Sequence, residues 1–258
     1  MNYETILADK ETHIGTIALN RPDQLNTFTT TLAHELNEAL VAMDKDQDVR
    51  VVILKGNGRA FCAGIDVSVL PMESIIDYRQ WIHDMERMNL TIARMVKPVI
   101  AAAHGVAAAN GAGLLAAADL AIAAEGTRIG TTAINVGLFC MPPAVPLARS
   151  LGRKRCLEML LTGDFIDAQR AEQIGLINKV VPGDTLMDEA MSLATKLAAK
   201  SPVALQMGKK AFYTMCDMEF EKALEYSNEM FAELCTTQDA LEGVTAFRDK
   251  REPVWKLR

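Results

Sequence analysis

Ala60-Phe61-Cys62-Ala63-Gly64-Ile65-Asp66 and, about forty positions later, Ala101-Ala102-Ala103-His104-Gly105-Val106-Ala107-Ala108-Ala109-Asn110-Gly111-Ala112-Gly113 decide how this chain is read. Each follows an apolar run of buried-strand length, Val51 to Leu54 and Pro98 to Ala102. Each then enters a stretch with almost no side-chain bulk, where backbone can approach a ligand closely. Two bare loops at the ends of neighbouring strands can aim two backbone N–H groups at one oxygen. Such an oxyanion hole stabilises charge developing on a carbonyl, so it names a class of chemistry before any catalytic side chain is found.

Outward from these loops the pattern alternates between strand and helix. His13 to Leu19 reads as a strand, with Asn20-Arg21-Pro22 as turn punctuation. Thr29 or Thr30 can cap a helix whose Leu32, Leu36, Leu40 and Met43 recur at helical spacing. Met72 to Met95 predicts a long helix, Pro98 to Ala103 a strand, and Gly111 to Ala118 a short buried helix. Strands joined by helices imply parallel pairing through crossovers, hence an α/β fold. From Pro142 the pattern turns helical, with candidates over Leu186 to Ala199, Pro202 to Met215, Met218 to Thr236 and Asp239 to Lys250. Met215, Met218, Phe220, Met230 and Phe231 fit packing between subunits or within the chain equally well.

Composition narrows the class of partner. The chain of 258 residues carries a net charge of −6, and its longest basic run is Arg153-Lys154-Arg155. Neither nucleic acid nor an anionic membrane surface is expected as the main partner. The N-terminal segment reads as a strand rather than a signal or transit peptide, making the cytoplasm the default and a processed organellar form the alternative. Five cysteines without a Cys-x-x-Cys pair, and four histidines without ligand spacing, suggest neither a disulfide framework nor a metal site. Cys156, Cys216 and Cys235 lie in helical patterns and read as small core hydrophobes.

Several segments carry a resemblance. Ile17-Ala-Leu-Asn-Arg-Pro22, Gln24-Leu-Asn-Thr-Phe28, Gly58-Arg-Ala-Phe-Cys-Ala-Gly-Ile-Asp66, Lys97-Pro-Val-Ile-Ala-Ala-Ala-His-Gly105, Ala171-Glu-Gln-Ile-Gly-Leu-Ile177 and Ala246-Phe-Arg-Asp-Lys-Arg-Glu-Pro-Val254 resemble the enoyl-CoA hydratase/isomerase (crotonase) superfamily, in order and with its spacing. Within it, Val136-Gly-Leu-Phe-Cys-Met-Pro142 and Ala109-Asn-Gly-Ala-Gly113 are most similar to the enoyl-CoA hydratase domain-containing protein 3 branch. The resemblance implies a spiral of ββα repeats over residues 1–195 and a helical oligomerisation region over 196–258, assembled as trimers or dimers of trimers. It also implies a CoA thioester as substrate, with no cofactor beyond the CoA it brings.

The resemblance assigns the oxyanion hole to the backbone N–H groups of Ile65 and Asn110. Asn110 stands where the family has glycine, a departure eased by asparagine's tolerance of left-handed backbone, and its amide side chain can also contact the substrate. Substrate and CoA contacts fall on Gln24, Leu25, Ala63, Asp66, Val67, Gly111, Gly113, Ala133, Cys140 and Met141, with Phe247 and Lys250 reaching a neighbouring subunit's nucleotide. Relatives often carry a basic residue where Asp23 stands, and that phosphate contact is missing here. Hydrating members use two glutamates, at the positions of Gly113 and Ala133, so two-glutamate hydration is not supported. Replacing both by glutamate is expected to raise hydration.

Candidates for a substitute acid or base are Cys140 and the helix residues His83, Asp84 and Glu86. For Cys140 a pocket wall is the favoured reading, and for the other three an exposed helix face serves as well. Asp66 reads as loop-stabilising, His104 as a satisfied core histidine, and Asp119 as structural. Three functions follow: an acyl-CoA enzyme without the paired glutamates, an isomerase or thioester hydrolase variant of it, or a non-catalytic acyl-CoA-binding oligomer.

Overall fold

The computed structural model describes residues 3–70 and 73–256. In chain order the elements are β1 (Ile6–Glu11), β2 (Ile14–Leu19), α1 (Thr30–Lys45), β3 (Val51–Gly56), α2 (Ile75–Arg94), β4 (Val99–Ala103), β5 (Val106–Ala108), α3 (Asn110–Ala117) and β6 (Leu120–Ala124). They continue as β7 (Arg128–Gly130), α4 (Met141–Thr162), β8 (Phe165–Asp167), α5 (Ala168–Gln173), β9 (Lys179–Val181), α6 (Leu186–Ala198), α7 (Pro202–Met215), α8 (Phe220–Cys235) and α9 (Gln238–Asp249).

A large sheet runs β1-β2-β3-β4-β6-β9, with only the β1–β2 pair antiparallel. Parallel strands covered on both faces should read as continuous apolar runs, and Val51 to Leu54 and Val99 to Ala103 are fully buried. Alternation assigns their faces. Val52, Leu54, Val99, Ala101 and Ala103 join Leu32, Leu36, Leu40, Met85 and Met88 of α1 and α2. Ile14, Val51, Ile53, Ile100 and Ile122 instead meet a stripe on α6, Leu186, Ala190, Ala194 and Ala198, spaced four apart. Each valine, leucine, isoleucine or methionine so buried contributes about 1.5–3 kcal/mol relative to exposure, which holds the sheet ends in place.

The small sheet, β5-β7-β8, is extended by a parallel bridge between Cys62 and Ala107. The chain therefore repeats one step: a long strand in the large sheet, a short strand or bridge in the small one, then a helix. β3, Cys62 and α2 make the first turn; β4, β5 and α3 the second; β6, β7 and α4 the third. This is the expected spiral. Strands β5, β7, β8 and β9 are three residues each, too short for a periodicity signal, so β8 and β9 fall in a stretch that reads as helical.

The last three helices pack on one another, and α8 has no buried residue of its own. Phe220, Phe231 and Phe247 are 83%, 68% and 85% exposed. Cys216 and Cys235 are exposed as well, correcting their reading as core residues; Cys156 is buried as expected. Cys216 lies just past the end of α7 and Cys235 at the end of α8, both uncovered among the described residues. No helix among the described residues is long and apolar enough to cross a membrane.

Candidate active site

The two bare loops meet edge to edge. Cys62 N–H donates to Val106 O at 3.0 Å and Ala108 N–H donates to Cys62 O at 2.9 Å. On the other side Phe28 N–H donates to Gly64 O at 2.8 Å and Asp66 N–H to Phe28 O at 2.9 Å. Along extended backbone alternate N–H groups point opposite ways, so Ile65 N–H is turned away from this ladder. Ala109 then leaves β5 at φ 47°, ψ −112°, a strained geometry for a residue with a Cβ, and its own N–H donates to Gly130 O at 2.8 Å. That turn starts α3 at Asn110, whose N–H belongs to the first helical turn and cannot pair inside the helix. Neither Ile65 N–H nor Asn110 N–H has a partner among the described residues. Each stands three residues past the Cys62–Ala107 bridge, one on each loop. The strained position is thus Ala109, and Asn110 is not among the residues with positive φ.

The loops close because residue 111 has no side chain. A Cβ there would lie 2.1 Å from Cys62 O, so only glycine permits α3 to start against the first loop. Behind the first loop, buried Asn26 at φ 56° donates through Nδ2 to Asn57 O (2.9 Å) and Ala60 O (2.8 Å) and accepts from Arg21 N–H (2.9 Å). Ala63 N–H donates to Leu25 O at 3.0 Å, which sets Gln24 and Leu25 beside the site. Asp66 accepts from Ser68 N–H at 3.1 Å and pairs with Arg21 at 3.4 Å. The Ser68 contacts, then Arg21, hold its carboxyl below the usual range, the loop-fastening role expected of it.

An acidic group does reach this centre, from α2. Glu86 Oε1 accepts from Asn110 Nδ2 at 2.7 Å, and its Oε2 accepts from Asn89 Nδ2 at 2.6 Å. Desolvation pushes the Glu86 carboxyl up to about 7 against those two hydrogen bonds. Its neighbours on the helix do something else. His83 is exposed, and Asp84 accepts from Gln80 and pairs with His34 of α1 at 3.4 Å. Of the three helix candidates only Glu86 meets the loops.

Cys140, just before α4, is buried, and burial raises its thiol above the ordinary value. Its thiol faces the backbone of Ala133 and lies within electrostatic reach of Glu86. Asn110, Glu86, Cys140 and Ala133 thus form one cluster. Met141 and Val67 are exposed. Phe247 is exposed on α9, and Lys250 caps that helix at φ 53°; α9 packs on α7 and α8. His104 Nε2 meets Gly58 O at 2.8 Å, a satisfied partner, but the ring is half-buried and not in the core as expected; Asp119 accepts from Val99 N–H, Lys209 and Tyr213, a structural role.

Gly113 faces α4. A Cβ at this position would lie 2.9 Å from Pro143 Cβ and 3.0 Å from its Cα. Pro143 is buried in the first turn of α4, and its ring cannot rotate aside. A glutamate grafted at 113 meets this contact, so its Cβ fits only if Pro143 and the start of α4 give way. Gly113→Glu is expected to lower the melting temperature by about 5 °C or more and to add no hydration of a 2-enoyl thioester. A variant that melts like the parent and hydrates would show that Pro143 yields.

Residues missed from the sequence are Asn89, Ala109 and Pro143. Asn89 had a signal: Met85, Met88 and Ile92 form the buried stripe of α2, and Glu86 and Asn89 flank it one position on. The other two had none, because their roles exist only where two loops or two helices meet.

The enoyl-CoA hydratase/isomerase family profile matches residues 9–258. The human protein named enoyl-CoA hydratase domain-containing protein 3, mitochondrial, is 35% identical over 94% of this chain and 80% of its own length. Its solved structure superposes with a TM-score of 0.94, covering 98% of this chain and 100% of that one at 34% identity. An enoyl-CoA hydratase from Mycobacterium smegmatis superposes with a TM-score of 0.94 at 39% identity, over 98% of this chain and 99% of that one. The crotonase fold, the loop pair and the full-length match lead to one statement: this chain belongs to the enoyl-CoA hydratase/isomerase family.

Proposed function

We propose that the chain is an acyl-CoA enzyme that polarises a thioester carbonyl between the backbone N–H groups of Ile65 and Asn110. The observation that carries this reading is the pair of unpartnered N–H groups on two adjoining loops. Fixed dipoles of this kind stabilise an enolate oxygen at no reorganisation cost, about 3–4 kcal/mol per donor in acyl-transfer sites. CoA comes and goes with the substrate, gripped around Gln24, Leu25, Ala63, Asp66 and Val67. The exposed Phe220, Phe231 and Phe247 support assembly as a trimer or a dimer of trimers, with Phe247 and Lys250 serving a neighbour's nucleotide. A non-catalytic acyl-CoA-binding oligomer is the second reading, favoured by glycine and alanine where hydratases of the family carry glutamate.

The test is a panel of saturated, 2-enoyl and 3-enoyl CoA thioesters, followed for binding and turnover, beside a CoA thioether lacking the carbonyl oxygen. Loss of that oxygen leaves two N–H groups without an acceptor, and about tenfold weaker binding is expected. Equal binding of ester and ether would remove the oxyanion hole from the reading, and binding of neither would remove the substrate class. Binding of the thioesters without turnover would favour the second reading.

A further inference from the structure

Resting on that reading, we propose that Glu86 of α2 is the proton-transfer group of this enzyme, working alone beside the Asn110 oxyanion donor. The placement follows from one residue serving twice. Asn110 aims its backbone N–H at the carbonyl oxygen and holds Glu86 Oε1 with its side chain at 2.7 Å. Backbone and side-chain nitrogens of one asparagine are at most about 4–5 Å apart, so Glu86 Oε1 lies within about 7–8 Å of the backbone N–H that holds the carbonyl, the scale of the first carbons of a bound acyl group. No cation pairs with Glu86 among the described residues; its two partners are neutral amides. Such partners position the group without fixing its charge.

Asn89 fits both charge states. Its Nδ2 donates to Oε2, while its buried Oδ1 has no partner among the described residues. When Glu86 carries a proton on Oε2, turning the Asn89 amide over lets Oδ1 accept it. The site can thus hold the proton between two steps of a reaction.

One base suffices for a 1,3-proton shift. The carboxylate takes the α-proton of a 3-enoyl thioester; the C–H electron pair becomes the C=C bond of the enolate, and charge passes to the oxygen between the two N–H groups. The enolate then collapses, its electrons moving the double bond into conjugation, and the same proton returns to the γ-carbon. Nothing is consumed and no second base is needed. Cys140 is the titratable group facing Glu86, and burial keeps its thiol protonated. The other surroundings do not compete for the proton. Helix α3 carries no titratable side chain, Lys209 and Tyr213 of α7 are engaged by Asp119, and His34 of α1 meets Asp84 on the opposite side of α2. On α2 itself, His83 is exposed.

The experiment follows exchange of α-protons of a saturated acyl-CoA into deuterium oxide, and 3-enoyl to 2-enoyl conversion, in the full chain and in Glu86→Gln. The same acyl-CoA is titrated for binding to each. The full chain is expected to exchange and isomerise, with a rate that rises with pH and levels off above about 7 as the carboxyl ionises. Glu86→Gln is expected to lose at least a hundredfold in both rates while its Kd stays within about threefold. Glu86→Asp, which keeps the charge but withdraws it by one methylene, is expected to fall between the two and keep a pH step. It serves in place of the Gln variant if that one does not fold. A parent that binds but neither exchanges nor isomerises, or a Gln variant as fast as the parent, overturns the assignment and leaves the binding reading intact. Absence of acyl-CoA binding in the parent overturns the reading beneath it.

Discussion

Gly111→Ala is expected to destabilise the fold by about 2 kcal/mol or more and to remove acyl-CoA turnover. Residue 111 lies inside α3, where alanine ordinarily stabilises a helix by about 1 kcal/mol relative to glycine. Here packing reverses the sign. The new Cβ would stand 2.1 Å from Cys62 O and 2.9 Å from its carbonyl carbon, against backbone that cannot rotate out of the way. That oxygen is also the acceptor of Ala108 N–H, one of the bonds joining the loops. Relief requires the loops to part, and overpacking of this kind costs about 1–3 kcal/mol, more where backbone must move. Parting the loops also separates the two N–H donors, and a misplacement near 1 Å costs on the order of a hundredfold in rate. Gly208→Ala is the matched control: it lies inside α7, nothing stands within 4 Å of a Cβ there, and a gain of up to about 1 kcal/mol is expected. Urea melts of the two variants decide the matter. A Gly111→Ala chain as stable as the Gly208→Ala chain would mean the loops are not held as tightly as their contacts indicate.

Glu86→Gln is expected to be more stable than the parent at pH 8, by something on the order of 3 kcal/mol, and no more stable at pH 4. The carboxyl titrates near 7 in the folded chain and near 4.5 when solvated, because burial disfavours its charged form. Below 4.5 both states carry the proton and the group is neutral with respect to stability. Between 4.5 and 7 the unfolded chain releases it while the folded chain keeps it, so stability falls as pH rises. Above 7 the whole cost is present. Glutamine bears no charge and escapes it. Other carboxylates held low, such as Asp66 and Asp84, act below this window and cancel between the two chains. Denaturation midpoints from pH 4 to 8 should therefore diverge across that window and run parallel outside it; curves parallel throughout would place Glu86 in solvent. A group that costs stability where it works is common at functional sites.

Much of the fold was legible before any coordinates. The helix at Leu32, Leu36 and Leu40, the strands at Val51 and Val99, and the four late helices follow from apolar spacing, with ends shifted by one to three residues. The small sheet was not, since strands of three residues carry no period. The exposed Cys216 and Cys235 were misplaced because a helical pattern does not say which helix will be left uncovered.

The sequence by itself determined the family, the two bare loops and the absence of glutamate at 113 and 133, because these are matters of which side chains are present. Tertiary structure decided where the chemistry can go. Glu86 looked like one of three charges on a helix face until α2 was laid across the start of α3, and the contact of Gly113 with Pro143 exists only once α3 and α4 are packed. Both outcomes depend on the approach of elements distant in sequence, and separations of about 3 Å between such elements are fixed by packing rather than by local propensity.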